Sequence, residues 1–596
     1  MLERVSQLWR FAKYGLPLAR LRPTAHRTVP DVLEEQAAER PGRTFLLFED
    51  QRLSYDELNR RANRVAHWAR AHGLGRGQRV ALLMQNRPEF IETWAGLAKA
   101  GVTTALINTN LTGRALEHAL TTADVKHWIV GAECLSLCAG LDTGRWQLWV
   151  SAEPGAPTSE LPAGALDLPS DLATRPSANL PPGSREDCVA GDDLFYIYTS
   201  GTTGLPKAAR FSHLRFMTAA TASRLAGFGP DSVMYCALPL YHTAGGCMAL
   251  GASLLSGGSF ALRRRFSARE FWPDVRRFQA TAFQYIGEFC RYLLNQPSEV
   301  TDGEHALEFC IGNGLRPDIW EPFRDRFRIP QIVEFYGATE GNVSLLNLDN
   351  RVGSVGRIPT RLLMDARLVR YDVEQDRHPR DANGHLIECG ANEVGELIGA
   401  LPTRAGDNRG RFEGYTSSEA TERKILRNSF RDGDAFFRTG DLLKHDDQGY
   451  FFFIDRIGDT FRWKGENVST QEVAEALAAF PGVEMVNVYG VAVPGLDGRA
   501  GMAALILSGA ESFDPRAFYA HAVTALPSYA VPVFLRLQHE AEVTGTFKLR
   551  KVELQQEGYD PAKVSEPLLM RDDGARSYVP LDADAHRRIA SGEIRI

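Results

Sequence analysis

The sequence predicts an α/β protein that ends in a smaller α+β domain, and three observations carry that prediction. From Ser54 to Val130, strand-like apolar runs alternate with amphipathic helical runs, the pattern of a mostly parallel sheet covered by helices on both faces. The chain has 596 residues, more than one hydrophobic core usually holds. Beyond Asp455-Arg456 the order of helices and strands changes.

The opening segment sets Arg4, Arg10, Lys13, Arg20 and Arg22 against a single acid, Glu3, with Leu2, Val5, Leu8, Trp9, Phe11, Leu16 and Leu18 as its apolar side. Residues 1–29 therefore read as a basic amphipathic segment. Two readings stand: peripheral contact with an anionic membrane surface, or a terminal helix packed on its own domain. Ser54 and Glu57 form a capping box for a helix that Gly73 ends after His72. A strand at Val80–Met84, a helix at Pro88–Ala100, a strand at Val102–Ile107, a helix at Gly113–Thr121 and a strand at Val125–Val130 follow. Gly73-Leu74-Gly75-Arg76-Gly77 precedes a strand instead of following one, so it is a loop and not a dinucleotide motif.

Residues 151–187 carry prolines at 154, 157, 162, 169, 176, 181 and 182, the composition of an exposed connector. Leu194–Tyr198 is a short buried strand, 230–350 a second α/β run, and 353–455 a β-rich run in which Phe451-Phe452-Phe453-Ile454 is a buried strand. After it, Thr470–Phe480 and Pro515–Leu526 read as helices, Val483–Val493 and Met502–Leu507 as strands. The expected division is a large domain over 1–456, with parallel sheets and a β-rich subdomain, and a small mobile α+β domain over 457–596.

Composition narrows the function classes. A hydrophobic fraction of 44% and a charged fraction of 24% are those of a globular protein. A net charge of −6 argues against a nucleic-acid partner bound by bulk electrostatics. The eight cysteines contain no C-x-x-C pair, which points to reduced core residues, no zinc site and a cytosolic setting. Met1–Leu21 lacks the continuous apolar core of a signal peptide. The longest apolar run, Trp94–Ile107, is broken by Lys99 and is too short to span a bilayer. The arginine-rich stretch Leu262–Phe278 reads first as a solvated helix face and second as an anion-attracting surface.

Directly after the strand Leu194–Tyr198 comes Thr199-Ser200-Gly201-Thr202-Thr203-Gly204-Leu205-Pro206-Lys207. Glycines let backbone approach an anion, successive N–H groups can form a nest, and hydroxyls and a lysine add donors. This is a phosphate-gripping loop, although no Walker A pattern occurs in the chain. An isolated Ser/Thr/Gly run would be a surface turn; the strand before it and the lysine after it argue otherwise.

The string closely resembles the phosphate loop of the acyl-adenylate-forming enzymes, which include acyl-CoA synthetases, luciferases and peptide-synthetase adenylation domains. That resemblance implies ATP as substrate and roles for further strings. In Glu334-Phe335-Tyr336-Gly337-Ala338-Thr339-Glu340-Gly341-Asn342, Tyr336 would stack on adenine, Thr339 contact phosphate, and Glu340 hold Mg²⁺ with Thr199. One carboxylate and one hydroxyl suffice for a hard dication that also takes phosphate oxygens. Cys310-Ile311-Gly312-Asn313-Gly314 would pass beside the adenine, its glycines leaving room for the ring. Asp441, in Arg438-Thr439-Gly440-Asp441-Leu442, would accept from the ribose hydroxyls, with Arg456 a second ribose or phosphate contact. His242 matches a histidine near the acyl carboxylate, and the nearby small residues Gly245, Gly246, Ala249 and Ala252 either leave room for an alkyl tunnel or serve close helix packing. Lys548, in Thr544-Gly545-Thr546-Phe547-Lys548, matches the lysine that bridges carboxylate and α-phosphate. Alone, each would be an ordinary turn, loop or surface residue.

Asp455-Arg456-Ile457-Gly458-Asp459-Thr460-Phe461-Arg462-Trp463-Lys464-Gly465-Glu466-Asn467-Val468-Ser469-Thr470, with the strings around Tyr336 and Lys548, is similar to the fatty acid transport protein/very long-chain acyl-CoA synthetase family. The resemblance implies a fatty acid substrate, CoA as acyl acceptor, Gly458 at the hinge where many relatives carry Asp or Lys, and Gly465 beside the pantetheine arm. Two other readings remain at this stage. One is an adenylating enzyme that loads a carrier protein; the other is a membrane-associated fatty-acid uptake factor that works by binding.

Overall fold

A computed structural model describes residues 9–154, 161–199, 206–358, 361, 364–373, 375–402, 410–464, 466–494, 496, 498–508, 513–539, 551–594 and 596. Ser200, Gly201, Thr202, Thr203 and Gly204 of the phosphate loop, Gly465 and Lys548 lie outside the described residues.

The alternation after Ser54 builds one sheet, and its capping box builds the first long helix. The Ser54 hydroxyl accepts from the Glu57 amide while the Glu57 carboxylate accepts from the Ser54 amide, and Tyr55–Ala71 follows as a helix. Two orphan donors at the helix start are thereby satisfied. Strands 147–151, 127–131, 79–83, 103–106 and 193–199 lie side by side and parallel. Lys207–Ser212 then pairs antiparallel with Asp193–Thr199, placing Thr199 opposite Lys207. The phosphate loop therefore joins two paired strands whose last rungs hold its ends together.

A second, larger sheet has a parallel centre: 44–48, 259–262, 233–236, 282–286, 309–313 and 332–337 in spatial order. It continues antiparallel through 344–347, 356–357, 450–456, 435–445, 395–400 and 366–369. The expected α/β class with a β-rich part is the observed one. Helices such as Pro88–Lys99 and His213–Ala226 contribute Trp94, Phe216 and Met217 to the core between the sheets. From Phe461 to Ile589 a separate apolar cluster forms around a five-stranded sheet, 483–491, 500–507, 534–538, 568–572 and 577–580.

One stretch departs from the sequence reading, and two others had alternatives left open. The proline-rich stretch is not a bare connector: Leu166–Asp167 adds a strand, Leu168–Ala173 is a helix with Leu168 buried, and Asn179 accepts from Asn59 and Asn63. Prolines at helix starts and strand ends are compatible with order. The arginine-rich stretch is paired at home, through Arg263–Asp274, Arg264–Glu153 and Arg277–Asp50. Gly245 and Gly246 do not open a tunnel; a Cβ on either would collide with backbone carbonyls of Leu238–Leu240. Ala249 and Ala252 are fully buried, so these small residues serve close packing.

Segment 9–20 packs on its own protein. Phe11–Gly15 and Leu16–Arg20 are short helical turns lying against His213–Ala226. Among the described residues no helix is long and apolar enough to cross a membrane.

Candidate active site

The two sheets and the C-terminal region meet around a cleft of about 2850 Å³. Its wall takes in Thr199, Lys207, His242, Asn313, Gly314, Tyr336, Gly337, Thr339, Glu340, Asp441, Arg456 and Gly458. Residues up to 259 positions apart in sequence thus face one space. Gly312 stands apart from this wall. A Cβ there would lie 2.3 Å from the Tyr285 carbonyl oxygen, so the neighbouring strand requires the glycine.

Tyr336 is the penultimate residue of the strand Ile332–Gly337, and its buried hydroxyl donates to Asp441 Oδ2 at 2.6 Å. Burial and the neighbouring carboxylate raise the phenol well above its ordinary value, so it stays a donor. Asp441 is paired in register with Arg456 across strands Ala435–His445 and Tyr450–Arg456, and Arg456 Nε lies 3.7 Å from Asp441 Oδ1. Phe453, on the same strand, faces Tyr336 with ring centroids 6.5 Å apart. The phenylalanine run is therefore part of the cleft wall as well as of the sheet.

Thr339 and Glu340 sit on the turn after that strand. Thr339 and Thr243 share a hydrogen bond of 3.0 Å, which links this turn to the segment bearing His242. Glu340 Oε1 accepts from the Tyr415 hydroxyl at 2.6 Å, and Lys207 Nζ lies 6.0 Å from the centre of the Tyr415 ring. One tyrosine thus stands between the downstream end of the phosphate loop and the candidate metal carboxylate. The oxygen donors Glu340 and Thr199 suit Mg²⁺, and Glu340 is held by an uncharged donor that does not neutralise it. Among the described residues no group of three His, Cys, Asp or Glu side chains could hold a metal. A dication here would complete its shell from nucleotide oxygens and water.

Three residues that the motifs did not single out hold this geometry. Arg215 donates to the carbonyls of Ala338 (3.0 Å) and Gly341, one on each side of Thr339-Glu340. Burial pulls its guanidinium below the ordinary arginine value, against the pull of Glu413 and Glu340. Glu413 accepts from the Ser212 amide and hydroxyl at the base of the same helix. Glu334, two residues before Tyr336, is buried and accepts from the Tyr285 hydroxyl and from the amides of Gly314 and Leu315. Burial pushes its carboxyl up to about 8, although all three donors act the other way. Glu334 ties the Gly314 turn to the Tyr336 strand. None of the three follows a local sequence pattern; each is defined by tertiary partners.

At the junction with the C-terminal region, Asp455 accepts from the Thr470 amide (2.6 Å) and hydroxyl (3.0 Å). Lys551 donates to the Thr470 hydroxyl at 2.8 Å and lies 3.5 Å from Asp459. The turn between them bonds through the amides of Ile457, Asp459 and Thr460, and nothing lies within 4 Å of a Cβ built on Gly458.

Comparison with known proteins agrees with this arrangement. The profile of the AMP-binding enzyme family matches residues 33–394. Long-chain fatty acid transport protein 1 of Mus musculus is 42% identical, covering 99% of this chain and 94% of its own. Long-chain fatty acid transport protein 6 of Mus musculus is 38% identical, covering 96% and 91%. Among solved structures, the anthranilate CoA ligase AuaEII in complex with anthranoyl-AMP superposes with a TM-score of 0.74 at 22% identity, over 90% of this chain and 98% of that one. This last match speaks to the fold. With a family profile over more than half its length and relatives aligned almost end to end, this chain belongs to the AMP-binding enzymes and, among them, to the long-chain fatty acid transport proteins.

Proposed function

We propose that this AMP-binding enzyme is a fatty acid–CoA ligase that forms acyl-AMP from a long-chain acid and ATP, then passes the acyl group to CoA. The single observation that carries this reading is the convergence of Lys207, Tyr336, Thr339, Glu340, Asp441 and Arg456 on one cleft. Those residues match, position by position, the needs of an attack on an α-phosphorus: charge near the phosphates, a ring and a carboxylate for the nucleoside, and a carboxylate for a metal.

In the first step a carboxylate oxygen of the acid attacks the α-phosphorus, and the bond to pyrophosphate breaks. Lys207 and the amides of the loop it closes bind phosphate oxygens. Asp441 receives ribose hydroxyls while Tyr336 and Arg456 hold its orientation. Glu340 and Thr199 would hold Mg²⁺, which would supply charge neutralisation at the phosphates. Thr339 donates to phosphate, and His242 positions the acyl carboxylate. Lys548 bridges the attacking carboxylate and the α-phosphate, a contact typically worth about 10²–10³ in rate.

In the second step the CoA thiolate attacks the acyl carbon and AMP leaves. The region 457–596 is the small domain, and it turns about Gly458 between the steps, withdrawing Lys548 and bringing Gly465 to the pantetheine arm. The strings around Gly458 and Gly465 favour CoA over a carrier protein as acceptor. A peripheral stay at a membrane surface suits the basic residues of segment 1–29.

The test is exchange of labelled pyrophosphate into ATP, followed by CoA discharge. Exchange that depends on a long-chain acid, with acyl-CoA formed on CoA addition, supports the reading. Exchange with amino or aryl acids but no fatty acid would reject it.

A further inference from the structure

We propose that the N-terminal segment, residues 9–20, is the outer wall of the arm that receives the alkyl chain, and that it thereby limits the length of acid accepted. The inference rests on the fatty-acid reading above and adds to it which part of the chain selects the substrate.

The cleft does not stop at the nucleotide residues. It continues along the helix His213–Ala226, where Thr218, Ala219, Ala222 and Leu225 line it, and it is closed on the other side by Phe11, Gly15 and Leu18. Positions 215, 218, 219, 222 and 225 share one face of a helix. At one end of that face Arg215 grips the carbonyls beside Thr339 and Glu340. At the other, Arg10 donates to the Leu225 carbonyl at 3.4 Å. Ten helical residues span about 15 Å. The arm therefore starts where the acyl carboxylate must react and runs apolar to the segment near the N-terminus. A long, uncharged tail suits such a space.

The wall is fastened at two points. The Arg10 guanidinium lies over Gly227 and the C-terminus of the helix, where a cation is favoured by the helix dipole. Arg224 lies 4.1 Å from the centre of the Tyr14 ring. Directly after the second anchor Gly15 offers no side chain, and a Cβ built on it would meet the Phe11 ring at 2.9 Å. A larger residue there must displace Phe11 or fill the arm. Trp9, next to the first anchor, is 58% exposed, so the wall has an apolar outer corner as well.

The experiment uses full-length Gly15→Phe and Ala222→Phe, which fill the arm from opposite sides. The readout is kcat/KM for acid-dependent pyrophosphate exchange with octanoic, hexadecanoic and docosanoic acids, together with fluorescence titration of cis-parinaric acid, which needs no turnover. In each folded variant the ratio of hexadecanoic to octanoic acid should fall about tenfold or more, the scale of a misfit in an apolar pocket, and parinaric acid should bind more weakly. Should Gly15→Phe not fold, Ala222→Phe reads the same arm. Unchanged ratios and unchanged parinaric acid affinity in a folded variant would overturn the wall. Wild-type protein that exchanges pyrophosphate with no fatty acid would instead overturn the substrate reading, and the wall with it.

Discussion

Arg215→Met is the most informative single change in the nucleotide half of the cleft. The substitution keeps much of the side chain's length while removing donors to the Ala338 and Gly341 carbonyls. Those carbonyls bracket Thr339 and Glu340, so the turn loses its clamp on both sides. Hydrogen bonds to a charged group are worth roughly 1.5–3 kcal/mol each. Because the turn faces the cleft, water can rehydrate the freed carbonyls, and relief from burying a charge offsets part of the loss. Global stability should therefore fall by only about 1–2 kcal/mol. Activity should suffer more, because a shift of about 1 Å in a positioning element can cost about 10²-fold. The assay is acid-dependent pyrophosphate exchange at varied ATP and Mg²⁺, with urea unfolding run in parallel. Exchange within threefold of wild type in a folded Arg215→Met protein would refute the clamp.

Other outcomes follow from the same geometry. The Glu334 carboxyl, raised by burial to about 8 from an ordinary 4.5, holds a proton in the folded state that the unfolded chain has lost in that interval. Its contribution is full below about 4.5 and is lost as pH rises through about 8, so Glu334→Gln should flatten the fall in stability by up to about 1.4 kcal/mol per pH unit; parallel urea-midpoint profiles for the two proteins would contradict this. Lys548→Ala should lower acyl-AMP formation by about 10²–10³ yet still convert supplied acyl-AMP and CoA, and equal loss in both half-reactions would assign the lysine another role. Gly458 has open space around it, so Gly458→Ala should leave the unfolding midpoint unchanged. Gly458→Pro fixes φ near about −65° and should impair one half-reaction far more than the other; a folded variant with both rates intact would move the hinge, with Asp459 next.

Much of the fold was legible because its signals are local. The capping box at Ser54 and Glu57 depends on residues three apart, and the structure forms both of its bonds. The strand before Thr199 and the lysine at 207 announce a turn whose two ends pair. What stayed hidden depends on distant partners. Arg215 reads as one more helical arginine until the helix is laid beside residues 338–341. Tyr415 matters because the Ala209–Tyr415 bridge carries it to Glu340. Glycines are hard to read in advance: Gly245 and Gly246 suited either an alkyl tunnel or close packing, and at these two and at Gly312 neighbouring backbone takes the place of a Cβ. A sequence shows that a side chain is missing, but not what occupies the room. Segment 9–20 shows the same limit, since its amphipathic composition suits a lipid surface and a protein surface equally, and its contacts with Leu225 and Arg224 emerge only in the fold.

The most direct test of the whole account is product stoichiometry in one tube. Purified protein is mixed with hexadecanoic acid, ATP, Mg²⁺ and CoA, and AMP, pyrophosphate and acyl-CoA are quantified together by liquid chromatography. Equal amounts of the three, with AMP formation abolished by omitting the acid and acyl-CoA abolished by omitting CoA, is the predicted result. ADP in place of AMP, or acyl-AMP that accumulates and is never discharged by CoA, would contradict it.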